Sequence, residues 1–229
     1  MAVNCLEQKV YLMDQTAVHT MAQTGESLAE LAYRQIEEMI VTLKLEPGAV
    51  VNERTLTDVT NMGRTPVREA VQKLAWEGLM EIRPRSGIAI AALNPQDFTK
   101  VLDAREGVER VLARDAALYG ASLHHERLKA ASDAMMAARS GNDVISFLNA
   151  DKIFDTVLGQ AAENPYAARL ASPLQTHSRR FWFRLQRPGS LEQSAGAHTA
   201  LIKAIIAREP DKAADEATRL IGYLRTMAP

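Results

Sequence analysis

Glu53-Arg-Thr-Leu-Thr-Asp-Val-Thr-Asn-Met-Gly-Arg-Thr-Pro-Val-Arg-Glu-Ala-Val71 reads as two short amphipathic helices joined by a tight turn. Leu56 and Val59 form the expected apolar side of the first. Asn61-Met62-Gly63 supplies the turn, because Asn and Gly tolerate positive φ. Thr65 is the expected N-cap of the second helix and Pro66 its first residue. Val67, Ala70, Val71 and Leu74 then recur at helical spacing. Arg54, Arg64 and Arg68 gather at the front of this unit. A helix N-terminus that presents amides and guanidiniums suits phosphate oxygens and guanine edges. The stretch is predicted to be a helix-turn-helix.

Upstream, Ser27 with Glu30 has the spacing of a capping box. Leu28, Leu31, Ala32, Ile36, Met39, Ile40 and Leu43 make an apolar helical stripe that Glu46-Pro47-Gly48 ends. Ala49-Val50-Val51 is expected to be an extended connection. Downstream, Gly78 is placed to end the second helix of the motif. Leu79–Ile82 and Ile88–Ile90 are strand-like runs around Arg83-Pro84-Arg85-Ser86-Gly87, which predicts a hairpin with a basic tip. Helices followed by a hairpin make a winged helix. Trp76 and Leu79 are assigned to its core.

Asn94-Pro95 marks the next boundary, with Asn94 as a cap and Pro95 at a first helical position. Helices are predicted over 95–119, 123–139, 144–162, 165–185, 191–208 and 211–227. Gly120, Gly141-Asn142, Asn164-Pro165, Pro188-Gly189 and Glu209-Pro210 separate them. Six such helices with short links form a bundle able to enclose a ligand. The fold class is therefore mainly α: an N-terminal winged helix-turn-helix (26–93) followed by an all-helical bundle (94–229). Residues 1–25 lack clean periodicity and are expected to be a loosely held arm.

The 229 residues are 47% hydrophobic and carry a formal charge of −1, so bulk charge argues for no particular partner. From Arg54 to Arg85 six basic residues face four acidic ones, and their placement carries the nucleic-acid argument. The single cysteine, Cys5, fits a reducing cytoplasm. No run approaches the ~18 apolar residues of a membrane span. Lys9 and Asp14 interrupt the apolar residues at the N-terminus, so no signal-peptide core is expected there.

This order resembles the GntR family of bacterial transcription regulators. The resemblance rests on Leu45-Glu-Pro-Gly48, Glu53-Arg-Thr-Leu56, Arg64-Thr-Pro-Val-Arg-Glu-Ala-Val71, Glu77-Gly-Leu79 and Arg85-Ser-Gly87. The remainder resembles the all-helical FCD ligand domain of the fatty-acid-regulator subgroup. Its marks are Arg105 with Glu109, Asp151-Lys-Ile-Phe154, Asn164-Pro165, and His198 opening a helix that leads to Arg208-Glu-Pro-Asp211. The likeness implies that Arg54, Arg64, Thr65 and Arg68 contact DNA, and that Arg85 to Gly87 form a wing reaching the minor groove or backbone. Gly63 departs from the Ser or Thr usual there, which removes one hydroxyl from the turn.

FCD domains commonly hold a divalent metal ion with an Asp, a His four residues later and two further His. Here Asp151 is followed by Asp155, His198 is present, and the last position falls on Leu220, with Tyr223 the nearest polar alternative. Asp151, Asp155 and His198 are thus the candidate metal ligands, an incomplete set better suited to a hard ion with several waters than to zinc. On the residues alone, Asp151 and Asp155 are either a pocket edge or a solvated helix face, and His198 is either a pocket residue or a satisfied core histidine. Arg105 is the candidate for an effector carboxylate, since a planar fork suits that group; a buried pair with a helix carboxylate competes. In His177-Ser-Arg-Arg-Phe-Trp-Phe183 the aromatics either pack the core or a dimer face, or line the pocket.

The expected protein is a cytoplasmic, homodimeric transcription regulator and no enzyme. It binds double-stranded DNA at a palindromic operator, in the manner of a repressor, and answers to a small carboxylate-type effector. The rival from another class is a helical-bundle metalloenzyme in which Asp151, Asp155 and His198 gather an ion that activates water.

Overall fold

A computed structural model of the chain describes residues 27–228. The expected arm over 1–25, with Cys5, lies outside them. The chain divides after Ala92 into two compact units.

In the first unit, α1 (Leu28–Val41) opens on a capping box: Ser27 Oγ accepts from the Glu30 amide at 3.2 Å and Glu30 Oε2 accepts from the Ser27 amide at 2.9 Å. Then come β1 (Val50–Val51), α2 (Glu53–Thr60), α3 (Arg64–Trp76), β2 (Met80–Arg83) and β3 (Gly87–Ile90). The hairpin pairs in antiparallel register, Glu81 opposite Ala89 and Arg83 opposite Gly87. Residues Val50 and Val51, expected to be a connection, instead add a third strand, Val51 opposite Ile88, so the sheet order is β1-β3-β2. Ile36, Ile40, Leu56, Val67, Leu74, Leu79 and Ile90 meet in one core. Two expectations about that core are corrected. Val59 is exposed, because Leu56 and Thr60, one turn apart, are the pair that turns inward on α2. Trp76 is 82% exposed, because it falls off the Val67–Ala70–Val71–Leu74 stripe.

The second unit is a bundle of α4 (Asp97–Tyr119), α5 (Ser122–Ser140), α6 (Val144–Ala161), α7 (Pro165–Leu185), α8 (Ser190–Ile206) and α9 (Pro210–Arg225). Helix α4 is its axis, packing on α6, α7, α8 and α9. It starts two residues later than Asn94-Pro95 suggests, since Asn94 Oδ1 accepts from the Gln96 amide in a turn that precedes the helix. Phe98 stacks on Phe181 at 5.0 Å and Phe147 on Trp182 at 5.1 Å, so Phe181 and Trp182 of α7 pack the core. Arg225 clamps α9 to α4 through Glu106 at 2.8 Å and through Asp103. The described residues contain no helix long and apolar enough to cross a membrane.

Candidate functional site

The first candidate surface belongs to the winged unit. Asn61 ends α2 in the left-handed region at φ 53°, and Gly63, at φ −67° and ψ 165°, is the N-cap of α3. Thr65 is therefore inside the helix rather than its cap. A glycine offers no capping oxygen, so the first-turn amides of α3 have no side-chain cap and sit at the positive end of the helix dipole. Around them Arg64, Thr65 and Arg68 are exposed. At the other end Gly78 takes φ 76° and the Leu79 amide reaches back to Leu74 O at 2.9 Å, stopping the helix where the wing must begin. Tyr33 braces α3 from α1: its hydroxyl donates to Glu77 Oε2 at 2.8 Å, and Lys73 Nζ sits 3.8 Å over its ring.

Helix α3 and the wing share a groove lined by Asn52, Glu53, Arg68, Gln72, Arg83 and Arg85. Arg68 is held there by Glu53, its Nη2 3.1 Å from both carboxylate oxygens. Arg54 lies 3.9 Å from Asp58 and Arg83 pairs with Glu81 at 2.7 Å. Arg85 stands at the exposed tip with φ 65°. Gly87, at φ 99°, lets the wing close on β1, because a Cβ there would lie 2.8 Å from Val51 O. Gly87→Ala is expected to cost about 1–3 kcal/mol locally. Hydrogen exchange tests it: protection of the Ile90 amide, which donates to Ala49 O at 2.8 Å, should drop about tenfold or more, and unchanged exchange would refute the contact.

The second site is a charge cluster inside the bundle. Asp151 and Asp155, one turn apart on α6, are both buried, as are Arg105 and Glu109 on α4, Arg179 on α7 and His198 on α8. Arg105 Nε donates to Glu109 Oε1 at 3.0 Å and its Nη1 to Ser178 Oγ at 3.0 Å, while Gln175 Nε2 donates to Glu109 Oε1 at 2.8 Å. Arg179 Nη1 contacts Asp155 Oδ2 and lies 3.4 Å from Asp151 Oδ2, and its Nη2 donates to Thr176 Oγ1 at 3.0 Å. His198 Nε2 is 2.9 Å from Asp151 Oδ1, close enough for an ion pair though off the line of a hydrogen bond. Its Nδ1 is 2.8 Å from Ser194 O, and Phe154 meets the ring edge-on at 5.2 Å. Arg105 Nη2 and Asp155 Oδ1 stand 3.7 Å apart; these two atoms and Glu109 Oε2 are buried with no hydrogen-bond partner among the described residues.

The FCD domain model matches residues 100–222, and the model of bacterial regulatory proteins of the gntR family matches residues 28–90. An uncharacterized HTH-type transcriptional regulator from the TAR-I ttuE-ttuC' intergenic region of Agrobacterium vitis is 32% identical over 158 residues, covering 62% of this chain and 92% of the relative. The chain belongs to the GntR family of transcriptional regulators and carries an FCD domain. A probable D-xylose utilization operon transcriptional repressor of Paenarthrobacter nicotinovorans is 28% identical over 170 residues, covering 74% of this chain and 75% of its own. The solved structure of E. coli McbR/YncC matches the fold with a TM-score of 0.76 at 15% identity, over 89% of this chain and 97% of that one.

In this GntR-family chain the fold brings Asp151, Asp155 and His198 together with Arg105, but in a setting that does not fit a resident divalent ion. Arg179 occupies the space between the carboxylates, and with the guanidinium in place no group of three His, Cys, Asp or Glu among the described residues is arranged to hold a metal. Leu220 is buried and Tyr223 donates its hydroxyl to Ser190 O at 3.2 Å, so neither completes a ligand set. Both readings of Arg105 meet here: it is paired with Glu109 along its own helix, and its Nη2, 3.7 Å from Asp155 Oδ1, makes no hydrogen bond. Arg179, Ser178, Gln175 and Thr176 are the members that sequence reasoning did not assign.

Burial, then the charge of Asp151, pushes the Asp155 carboxyl up to about 7 against the pull of Arg179 and Arg105. Burial also acts on Asp151, but His198, Arg179 and Arg105 more than reverse it and hold that carboxyl low. Burial opposes the charge on His198, and Asp151 overrides it to raise the ring. An unfolded Asp titrates near 3.9 and His near 6.5. Between about pH 4 and 7 the folded chain keeps the Asp155 proton that the unfolded chain has released, and His198 extends this excess upward. Stability is therefore expected to fall as pH rises from about 4 to 7, with His198 continuing the fall above that, while the Asp151 contribution is lost only as pH falls below about 4. Asp155→Asn should remove about 1–3 kcal/mol of that loss. Thermal melts of both proteins at pH 5.5 and 8 check this, and parallel shifts in the two would sink the role of Asp155.

Proposed function

We propose that the chain represses transcription as a cytoplasmic homodimer on a palindromic DNA operator, and leaves it when a small carboxylate effector binds within the helical unit. The observation that carries the DNA reading is the shared groove: Arg68 of the recognition helix and Arg85 of the wing line one face, with Arg64 and Thr65 exposed at the uncapped N-terminus of α3. That layout suits a helix entering the major groove while the wing fixes register on the backbone. A repressor outcome is supported by the relative named as one. The dimer is supported by exposed apolar side chains on α4 and α7 (Val111, Leu118, Tyr119, Tyr166 and Leu170), which a second copy of the chain could cover. The effector reading rests on Arg105, Asp151 and His198 standing in one buried network in which a guanidinium nitrogen lacks a hydrogen bond.

A salt titration tests the DNA role. Anisotropy of a duplex selected for tight binding should show log K falling with log salt at a slope of about −4 or steeper, since each phosphate neutralised adds about −0.9. A slope near zero would mean that the winged helix serves some other contact.

A further inference from the structure

Two buried carboxylates one helical turn apart, with an imidazole on one of them, form a set of ligands that needs a cation. Here the cation comes from the chain itself. Arg179 Nη1 lies between Asp151 Oδ2 and Asp155 Oδ2, and the bond from Nη2 to Thr176 Oγ1 fixes the plane of the fork. Three carboxyl groups (Glu109, Asp151 and Asp155) meet two guanidiniums (Arg105 and Arg179) and one imidazole (His198) inside the bundle. A metal would have to sit about 2.0–2.2 Å from its oxygen and nitrogen ligands, which is ground the guanidinium already holds.

We infer that Arg179 is the resident cation of this cluster, standing where a divalent metal would stand, and that it keeps closed a latent metal site formed by Asp151, Asp155 and His198. The wild-type chain then needs no metal for its fold. Removing the guanidinium leaves the buried carboxylates in excess and opens room for an ion with water in its remaining positions. The inference goes beyond the effector reading and stands whether or not the bundle takes an organic acid.

The full-length chain, dialysed against chelator, is compared with Arg179→Met and Arg179→Lys during titration with Zn²⁺ and Mn²⁺. Bound metal is read by mass spectrometry after gel filtration, and stability by thermal melting. Wild type should hold well under one equivalent and show no metal-dependent shift. Arg179→Met should take up about one equivalent and gain roughly 5 °C or more at saturating metal. Arg179→Lys should behave as wild type, because its ammonium keeps the charge. Adding His198→Ala to Arg179→Met should abolish the uptake. If Arg179→Met does not fold in chelator, recovery on refolding with Zn²⁺ or Mn²⁺ supports the inference and failure to recover overturns it. Stoichiometric metal on wild type that is lost in His198→Ala overturns it, as does a folded Arg179→Met that binds none.

Discussion

Glu109→Ala is expected to lower the unfolding free energy by about 3–5 kcal/mol, the usual penalty for stranding a buried charge. Glu109 is almost wholly enclosed and accepts from Arg105 Nε at 3.0 Å and Gln175 Nε2 at 2.8 Å. Without it, Arg105 keeps Ser178 as a hydrogen-bond partner and Asp155 only at 3.7 Å. Over a unit of this size that loss is a fall in melting temperature of roughly 10 °C or more. The pair of changes Arg105→Met and Glu109→Leu should cost less than Glu109→Ala alone, since it removes both charges together. Lys129→Ala supplies the contrast: its partner Asp133 is exposed, and the expected loss is about 0–1 kcal/mol. Urea unfolding of the four proteins decides the matter, and a Glu109→Ala loss below 1 kcal/mol would show that the cluster is not tightly coupled.

Arg64→Ala with Arg68→Ala is expected to be the most damaging change to operator binding. Each arginine that reads a base edge or clamps a phosphate contributes on the order of 1–3 kcal/mol, and a symmetric dimer loses the contribution at both half-sites. Arg68 is already oriented by Glu53, so little side-chain freedom remains to be lost on binding; DNA has only to replace the carboxylate. Arg68→Ala alone should relax preference at one base pair, whereas Arg85→Ala should weaken all duplexes alike. Anisotropy on the selected duplex and on a shuffled one separates these outcomes. Equal losses on both duplexes for Arg68→Ala would place Arg68 on the backbone rather than on a base.

The helix-turn-helix was legible because its signals are local: a turn at Asn61–Gly63, a stripe at Val67, Ala70, Val71 and Leu74, and a stop at Gly78. The helices of the bundle were legible from Gly and Pro breaks, which fell within about two residues of the true ends. What escaped was whatever depends on a distant partner. Strand β1 is two residues long and exists only because Ile88 and Ala89 lie beside it. Trp76, expected in the core rather than as a base-stacking group, is turned out by its phase along α3. Arg179 was hidden in a run that also holds Arg180, and only the packing of α7 on α6 shows which carboxylates it meets. The odd titration of Asp155 likewise needs both burial and the charge of Asp151, neither of which a spacing reveals.

The chain has two tryptophans, and their settings differ as much as two indoles can. Trp76 stands at the end of the recognition helix in open water, while Trp182 is enclosed, stacked on Phe147 and donating to Ser194 Oγ at 2.9 Å. The molecule thus carries its own pair of optical probes, one per unit. Acrylamide should quench the red-edge emission of Trp76 and leave the blue-edge emission of Trp182, so events at the reading head and in the bundle can be followed separately in one cuvette without a label.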